Sequence, residues 1–202
     1  MNKNALIILL RNPQLGCVKT RLAAEIGDEG ALRVYNALLE HTRLITSEID
    51  SSRLLFYSNF IDNNDSWDEK LYTKFLQEGN SFGIRMCRAF KAAFKEHDKA
   101  VIIGSDCIEL TSDIIEDAFN KLNKFEVVIG PAKDGGYYLL GLKKIYPELF
   151  FNKTWSTPNV FADTLEDINN LGINHYLLPV LSDIDNFEDF KKSKLFEKIV
   201  LS

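Results

Sequence analysis

The stretch Val101-Ile102-Ile103-Gly104-Ser105-Asp106-Cys107-Ile108-Glu109-Leu110 decides the fold that this 202-residue chain is expected to adopt. Its three β-branched apolar residues predict a buried strand, which ends in small residues and the carboxylate of Asp106. Thr111 or Ser112 is then expected to cap the following helix. Open α/β sheets bind ligands beyond the carboxyl ends of their strands, so Asp106 is a candidate metal-holding or catalytic group. The alternative is that Asp106 only begins a turn.

Length and composition are typical of one globular domain, which we expect to span residues 1–202. The apolar share of 46% and the charged share of 26% exclude neither an enzyme nor a binding module. A net charge of -5 argues against a nucleic-acid-binding protein, because such proteins neutralise phosphates with clustered Lys and Arg.

The cysteines and the apolar segments bear on the compartment. The three cysteines are far apart and have no metal-binding spacing, which argues against both a disulfide framework and a zinc site. The first apolar run, Ala5 to Leu10, is too short for a membrane span or a signal peptide. We therefore expect a cytoplasmic protein without a membrane span.

Apolar runs of strand length alternate along the chain with helical patterns, which predicts an α/β sandwich with a mostly parallel sheet. The predicted strands are 5–10, 53–57, 71–77, 101–103, 126–131, 137–142 and 175–181. The predicted helices are 28–48, 84–97, 114–122 and 158–171, the last with Ser156 or Thr157 as its cap. Their periodicity assigns Phe90, Phe94, Ile102, Phe119 and Val128 to the core.

The segment between Arg11 and Leu22 is predicted to be a loop after the first strand, and it contains Gly16, Lys19 and Arg21. A basic loop with a glycine at this place is a candidate phosphate-binding loop, although a solvated surface turn would have the same composition. It is not a Walker A loop, because a valine precedes Lys19, and the GxGxxG fingerprint of dinucleotide-binding proteins is missing.

Polar groups recur at strand ends: Lys19 and Arg21 follow the first predicted strand, Asp106 the central one and Asp185 the last. Two cations and two separated carboxylates suit a divalent cation that bridges the phosphates of a nucleotide. We expect the carboxylates to meet at one edge of the sheet, in the same cleft as Lys19 and Arg21. No Ser/His/Asp set is evident.

Six segments together carry a resemblance to a known family. They are Pro13-x-x-Gly16-x-x-Lys19-Thr20-Arg21-Leu22, Gln77-x-Gly79-x-x-x-Gly83-x-Arg85-Met86, Gly104-Ser105-Asp106-Cys107, Gly130-Pro131-Ala132-x-Asp134-Gly135-Gly136-Tyr137-Tyr138, Trp155-Ser156-Thr157-Pro158 and Asp183-x-Asp185. In this order they resemble a bacterial transferase family with the GT-A glycosyltransferase fold, within the nucleotide-diphospho-sugar transferase superfamily. Its members are often described as radical-SAM/selenodomain-associated or arsenosugar-biosynthesis glycosyltransferases, and their reaction is uncharacterised.

The resemblance implies a single-domain GT-A three-layer sandwich and a division of the site into a nucleotide side and an acceptor side. On the nucleotide side it implies Lys19, Arg21, Gln77, Gly83, Arg85 and Ser105, with Mg²⁺ or Mn²⁺ held by Asp106 and Asp185. On the acceptor side it implies Gly135, Gly136, Tyr137, Trp155, Ser156 and Thr157. Asp134 is then a candidate acceptor base, although Asp-Gly-Gly between two strands is also a hairpin turn signal.

Three functions stay open on the sequence. The first is a metal-dependent glycosyltransferase with a nucleotide-diphospho-sugar donor and a small-molecule acceptor, in which Asp106 and Asp185 bind the cation. The second is a guanylyltransferase-like nucleotidylyltransferase, in which Lys19 and Arg21 stabilise the α-phosphate as pyrophosphate leaves. The third is a non-catalytic nucleotide-binding protein. Ser105-Asp106-Cys107 departs from the Asp-x-Asp motif usual in glycosyltransferases of this fold, and the first loop is poorer in glycine than in nucleotidylyltransferases.

Overall fold

The computed structural model describes residues 3–200 and forms one seven-stranded sheet with helices on both faces. The strands are β1 (Asn4–Leu10), β2 (Ser52–Tyr57), β3 (Tyr72–Leu76), β4 (Lys99–Ile103), β5 (Val127–Pro131), β6 (Tyr137–Leu142) and β7 (His175–Leu177). The helices are α1 (Thr20–Thr46), α2 (Phe82–Ala93), α3 (Ser112–Lys121), α4 (Val160–Asn170), α5 (Phe187–Lys192) and α6 (Lys194–Val200), with a 3-10 turn at Pro147–Leu149.

The strand order across the sheet is β3-β2-β1-β4-β6-β5-β7. Every pairing is parallel except those that β6 makes with β4 and β5. The reversal arises at the Asp134-Gly135-Gly136 turn, which folds β6 back on β5 as a hairpin. The predicted α/β fold with a mostly parallel sheet is confirmed, and β1 and β4 lie side by side at its centre.

Alternation of side chains along the central strands builds two core layers. Leu6 and Ile8 of β1 belong to a cluster with residues of α1 and α3, whereas Ile7 belongs to a cluster with residues of α2 and α4. Of the predicted core residues, Phe90, Ile102, Phe119 and Val128 are buried, and Phe94 is partly buried against the same core. A third cluster packs α5 and α6 on α1. Within residues 3–200, no helix combines the length and apolarity needed to cross a membrane.

The first helix begins eight residues earlier than the sequence pattern predicts, at Thr20 instead of Asp28. Gly27 interrupts it with φ 74° and ψ 164°, a backbone conformation that glycine adopts readily. The short first piece carries little apolar periodicity, so only the piece after Gly27 could be predicted. The loop after β1 therefore ends at Lys19, and Arg21 lies in the first helical turn instead of in the loop.

The predicted cap of α4 is wrong, because α4 begins at Val160. Ser156 has a left-handed φ of 63°, and the Thr157 hydroxyl donates to the carbonyl of Thr154 at 2.9 Å. Neither side chain therefore caps the helix, and residues 155–158 form a turn.

The last strand is shorter than predicted, ending at Leu177 instead of residue 181. Pro179 has no N–H to donate to the ladder, and the chain rejoins the sheet only through a bridge between Leu181 and Ala132. Asp185 thus follows an irregular segment that runs beside the end of β5, and does not follow a strand directly.

Candidate functional site

A cleft of about 1230 Å³ opens beyond the carboxyl ends of β1 and β4. Its walls come from the loops after these strands, from residues 133–138 and 155–160, and from residues 182–193. Thirteen of the sequence-predicted site residues line it: Lys19, Arg21, Gln77, Arg85, Ser105, Asp106, Asp134, Gly136, Tyr137, Trp155, Ser156, Thr157 and Asp185. Gly83 and Gly135 are not among the lining residues.

The centre of the cleft is an ion-pair network around one lysine. The Nζ atom of Lys19 lies 2.6 Å from Oδ1 of Asp106 and 3.3 Å from Oδ1 of Asp185. The lysine side chain is only 6% exposed, whereas the Asp106 and Asp185 side chains are 43% and 40% exposed. The structure thus brings together two carboxylates that are 79 positions apart in the sequence, and both open to the cleft.

Local backbone geometry directs these side chains. Lys19 occupies the N-cap of α1 with φ 48°, a left-handed conformation that is uncommon for a lysine. The loop that carries Asp185 is attached to the loop after β4, because the N–H of Ile184 donates to the carbonyl of Asp106 at 3.0 Å. Burial alone would lower the pKa of Lys19, but Asp106 and Asp185 outweigh it and raise the pKa above its ordinary value. Lys19 is therefore positively charged at neutral pH.

Asp183 is a further carboxylate at this centre, and we call Lys19, Asp106, Asp183 and Asp185 together the Lys19 site. Its Oδ1 atom is buried and has no hydrogen-bond partner among the described residues. Burial, followed by the charges of Asp106, Asp134 and Asp185, raises the pKa of Asp183 to about 7. The sequence-based assignment missed Asp183 as a site residue, although it is the first residue of the Asp183-x-Asp185 motif.

The loop after β4 carries two carboxylates, Asp106 and Glu109, and of these only Asp106 contacts Lys19. Ile108 stands where an Asp-x-Asp motif beginning at Asp106 would have its second aspartate, and the intervening Cys107 is buried with Sγ 3.6 Å from the carbonyl of Ser182. Burial and the nearby Asp183 raise the pKa of its thiol. The carboxylate of Glu109 accepts a hydrogen bond from the N–H of Ser182 at 2.8 Å. Both side chains therefore hold the Asp183 segment in place.

The donor set fits an oxygen-preferring divalent cation. Asp106 and Asp185 contact the same nitrogen atom, so their oxygens lie within two hydrogen-bond lengths of each other, and both face the cleft. Among residues 3–200 there is no group of three or more His, Cys, Asp or Glu side chains placed to hold a metal ion. A cation bound here would share its coordination with ligand oxygens or water, as magnesium commonly does.

The predicted nucleotide side contains polar groups that brace the strand ends. The side-chain amide of Gln77 donates to the carbonyls of Leu10 and Phe56, both at 3.0 Å. Ser105 is buried, and its hydroxyl lies 3.2 Å from that of Tyr35. The Tyr35 hydroxyl also donates to the carbonyl of Arg11 at 3.0 Å and accepts from its N–H at 2.8 Å. The ends of β1, β2 and β4 are thereby held in fixed relation.

Asn12 is a buried residue at the rim of the cleft that the sequence pattern did not single out. Its Oδ1 atom accepts hydrogen bonds from the Ser58 hydroxyl and from the N–H groups of Asn59 and Phe60. Its amide donates to the carbonyl of Phe60 at 2.9 Å. Asn12 therefore sets the shape of the loop after β2, where Ser58 and Asn59 line the cleft. A polar residue at a strand end was the only sequence signal.

The predicted acceptor side is built from the β5–β6 turn and residues 155–158. The Asp134 carboxylate is exposed and accepts a hydrogen bond from the N–H of Gly136 at 2.9 Å, so it also closes the hairpin turn. The rings of Phe82 and Tyr137 contact Trp155 edge to face, with centroids 5.3 and 6.4 Å away. These aromatic side chains form one wall of the cleft.

Gly83 and Gly135 are explained by packing. A Cβ atom on Gly83 would lie 2.1 Å from the carbonyl oxygen of Phe150, and one on Gly135 would lie 1.9 Å from that of Pro158. Gly135 also has φ 87°, which disfavours other residues. Both glycines therefore let neighbouring backbone segments approach closely, although neither glycine lines the cleft.

Comparisons with known proteins identify a family and similar folds. A family model described as "Uncharacterized protein conserved in bacteria (DUF2064)" matches residues 42–157. A search of curated proteins gives no match. A solved structure from Desulfovibrio desulfuricans G20, named a "putative nucleotide-diphospho-sugar transferase", is 25% identical with a TM-score of 0.89, and the alignment covers 98% of this chain and 91% of that one.

Two more distant structures share the fold alone. The inositol-1-phosphate CTP transferase from T. maritima is 14% identical with a TM-score of 0.58, over 99% of this chain and 96% of its own. A manganese complex of Rv0371C from Mycobacterium tuberculosis H37Rv is 11% identical with a TM-score of 0.53, over 94% of this chain and 97% of its own.

Proposed function

This chain belongs to the DUF2064 family of proteins conserved in bacteria, and we propose that it is a transferase using a nucleotide-diphospho-sugar donor and a divalent cation. The similarity to the Desulfovibrio desulfuricans G20 structure supports the donor class. Under this proposal Asp106 and Asp185 hold Mg²⁺ or Mn²⁺, and a small molecule accepts the sugar.

The observation that carries the proposal is the contact of Lys19 with both Asp106 and Asp185. A buried cation that shares two half-exposed carboxylates neutralises a site that would otherwise hold concentrated negative charge. A phosphate group of a nucleotide can attract the lysine, which leaves both carboxylates open to a divalent cation. The Lys19 site thus has the charges needed to receive a phosphate and a cation together.

Each residue has a distinct role in this account. Lys19, together with Arg21 in the first turn of α1, binds the diphosphate, while Gln77 and Ser105 fix the strand ends beside the nucleotide. When bound, a divalent cation neutralises the charge that develops on the departing diphosphate. Asp134, exposed in the β5–β6 turn that lines the cleft, is the proposed base that takes the proton from the acceptor hydroxyl.

Nucleotidyl transfer is the second candidate, and the loop after β4 favours it. Ile108 stands in place of the second aspartate of an Asp-x-Asp motif, and the nearby Glu109 carboxylate accepts a hydrogen bond from the N–H of Ser182, so Asp106 has no second aspartate beside it. In this reaction Lys19 and Arg21 stabilise the α-phosphate of a nucleoside triphosphate, and pyrophosphate leaves. The fold shared with a CTP transferase is compatible with it.

A thermal-shift panel tests the proposal first. Nucleotides and nucleotide sugars are added with and without Mn²⁺, and a bound ligand raises the melting temperature by mass action. We expect a manganese-dependent shift with at least one nucleotide sugar. Product analysis with the best ligand then separates the candidates, since glycosyl transfer releases a nucleoside diphosphate and nucleotidyl transfer releases pyrophosphate. A panel without any manganese-dependent shift would contradict both.

A further inference from the structure

Arg85 is a partly buried cation in the cleft that has no anionic partner. Its Nε atom is buried without a hydrogen-bond partner among the described residues, and no carboxylate of residues 3–200 forms an ion pair with it. Its guanidinium carbon lies 6.0 Å from the centre of the Phe82 ring. Because a guanidinium loses hydration when it is partly buried, this arrangement is costly unless a ligand supplies the missing acceptor.

The other partly buried cations of the described chain show what Arg85 lacks. Each of them has at least one protein oxygen within hydrogen-bond or ion-pair distance: Lys19, Arg43, Arg53, Lys74, Lys99, Lys121, Lys143 and Lys153. Arg88, one turn further along α2, is exposed and still pairs with Glu78 at 3.4 Å. Partial burial is therefore not enough to leave a cation unpaired in the described part of the chain. The one partly buried cation without a partner among these residues, Arg85, lies in the cleft.

The position of Arg85 associates it with the acceptor side. We call Phe82, Tyr137 and Trp155 the aromatic wall; all three line the cleft, and Phe82 is 38% exposed. Arg85 follows Phe82 on α2, whose N-terminus packs on Trp155 so closely that a Cβ on Gly83 would lie 2.5 Å from the indole nitrogen. The resemblance assigns Arg85 to the nucleotide, but its neighbours here are the residues predicted to bind the acceptor.

We infer that the acceptor carries an anionic group, a carboxylate or a phosphate, which Arg85 binds beside the aromatic wall. This inference rests on the proposed function, since it names the class of acceptor for that transferase. The planar guanidinium presents paired donors that match both anions, and the aromatic rings suit an apolar or flat body attached to the anion. The nucleotide phosphates have their own cations in Lys19 and Arg21.

Titration with simple anions tests the inference. The probes are phenyl phosphate, benzoate and neutral benzyl alcohol, and binding is followed by calorimetry and by the fluorescence of Trp155, with Trp67 buried elsewhere in the core. We expect wild-type protein to bind at least one anion more tightly than benzyl alcohol. Arg85→Gln should weaken anion binding about tenfold or more, because it removes a charged hydrogen-bond donor. Arg85→Lys keeps the charge but loses the paired planar donors, so its anion affinity should lie between those of the wild type and Arg85→Gln.

Arg88→Gln is the matched control, because it removes an arginine from the exposed part of the same helix and should leave anion binding unchanged. A preference for phenyl phosphate or for benzoate identifies the anion. The inference is overturned if no anion binds to the wild type, if Arg85→Gln and Arg88→Gln bind anions equally, or if Arg85→Gln loses nucleotide binding instead. Titration of the same variants with nucleotide and Mn²⁺ separates the two proposals. Arg85-dependent anion binding without any nucleotide binding would reject the donor assignment and retain the anion site.

Discussion

Two buried lysines in this protein have similar burial but different surroundings. Lys74 is 7% exposed and pairs with Asp65, itself only 16% exposed, at 2.9 Å. It also donates to the carbonyl of Asp62 at 2.8 Å, and the Tyr57 hydroxyl donates to Asp65. We call these residues the Lys74 cluster. Its nearest carboxylate, Asp65, is largely buried, and the exposed Glu69 lies farther from Lys74, at 3.7 Å, so the cluster ties the loop after β2 to β3.

The Lys19 site has an equally buried lysine, but its carboxylates are open. Asp106 and Asp185 are 43% and 40% exposed to the cleft, and Asp183 has an oxygen without a partner. Breaking a closed pair leaves an unpaired buried charge and so destabilises the fold, whereas open carboxylates with excess negative charge can bind a cation from solvent. The comparison therefore separates a structural ion pair from a functional one by the exposure of the acids and not by that of the lysine.

Of the two lysine substitutions, Lys19→Met should have the larger effect on ligand binding. We expect the affinity for a nucleotide with Mn²⁺ to fall about a hundredfold, because the phosphate loses a buried charged donor. The free energy of unfolding should change by less than about 1 kcal/mol, since the half-exposed acids regain water. Calorimetric titration and urea unfolding of the same preparation measure both. A loss of stability without a loss of binding would assign Lys19 to the structural class.

Lys74→Met should show the opposite pattern. Removal of the lysine leaves the Asp65 carboxylate buried without a cation, with only the Tyr57 hydroxyl and the Trp67 N–H as partners, which should destabilise the protein by about 3 kcal/mol. Nucleotide affinity at a temperature where the variant is folded should equal that of the wild type. Urea unfolding checks the first expectation, and a variant as stable as the wild type would show that the Lys74 cluster is not a structural tie.

Asp183→Asn should remove a pH dependence of stability. Because the pKa of Asp183 is raised to about 7 in the folded state, the folded protein keeps a proton that the unfolded chain releases near pH 4. The free energy of unfolding should therefore fall as pH rises from about 4 to 7, and then level off. The variant should lack this component and be about 4 kcal/mol more stable than the wild type at pH 8, since each unit of pKa shift is worth about 1.4 kcal/mol. Equal pH slopes for the two proteins in urea unfolding would refute it.

Asp185→Asn should have the smallest effect, on nucleotide binding with Mn²⁺. Asp106 directly follows β4 and lies closer to Lys19 than Asp185 does, at 2.6 Å against 3.3 Å, so we expect a loss of about tenfold for Asp185→Asn and a complete loss for Asp106→Asn. Manganese binding followed by electron paramagnetic resonance gives the ranking of the two variants. Equal losses would show that the two carboxylates hold the cation in the same way.

The sheet and the centre of the site were predictable because they follow from local sequence patterns. Continuous apolar runs identified β1 and β4, and the polar residues in the segments that follow them identified Lys19 and Asp106. The carboxyl ends of parallel strands lie at the same edge of the sheet, so the proximity of Lys19 and Asp106 followed from the topology. Asp185 was also predicted to lie there, although it arrives through the irregular segment after Pro179.

Other features depend on tertiary packing and could not be predicted. Helix α1 begins at Thr20, directly after Lys19, and is kinked at Gly27. No apolar periodicity predicts the piece of helix before the kink. The raised pKa of Asp183 and the unpaired Arg85 both reflect burial among segments that are distant in sequence. The packing role of Gly83 and Gly135 could not be predicted either, because their motifs resemble ligand-binding loops, whereas their Cα atoms face neighbouring backbone.

The most direct measurement of the central claim is a calorimetric titration of nucleotide in the presence of Mn²⁺ into three proteins: wild type, Asp106→Asn and Asp65→Asn. Asp65 is the matched control, since it is the carboxylate of the Lys74 cluster. The account predicts that the Asp106 variant loses manganese-dependent binding while it remains folded, and that the Asp65 variant, although less stable, binds as the wild type does. Undiminished binding by the Asp106 variant would contradict the assignment of the Lys19 site as the place where the cation and nucleotide bind.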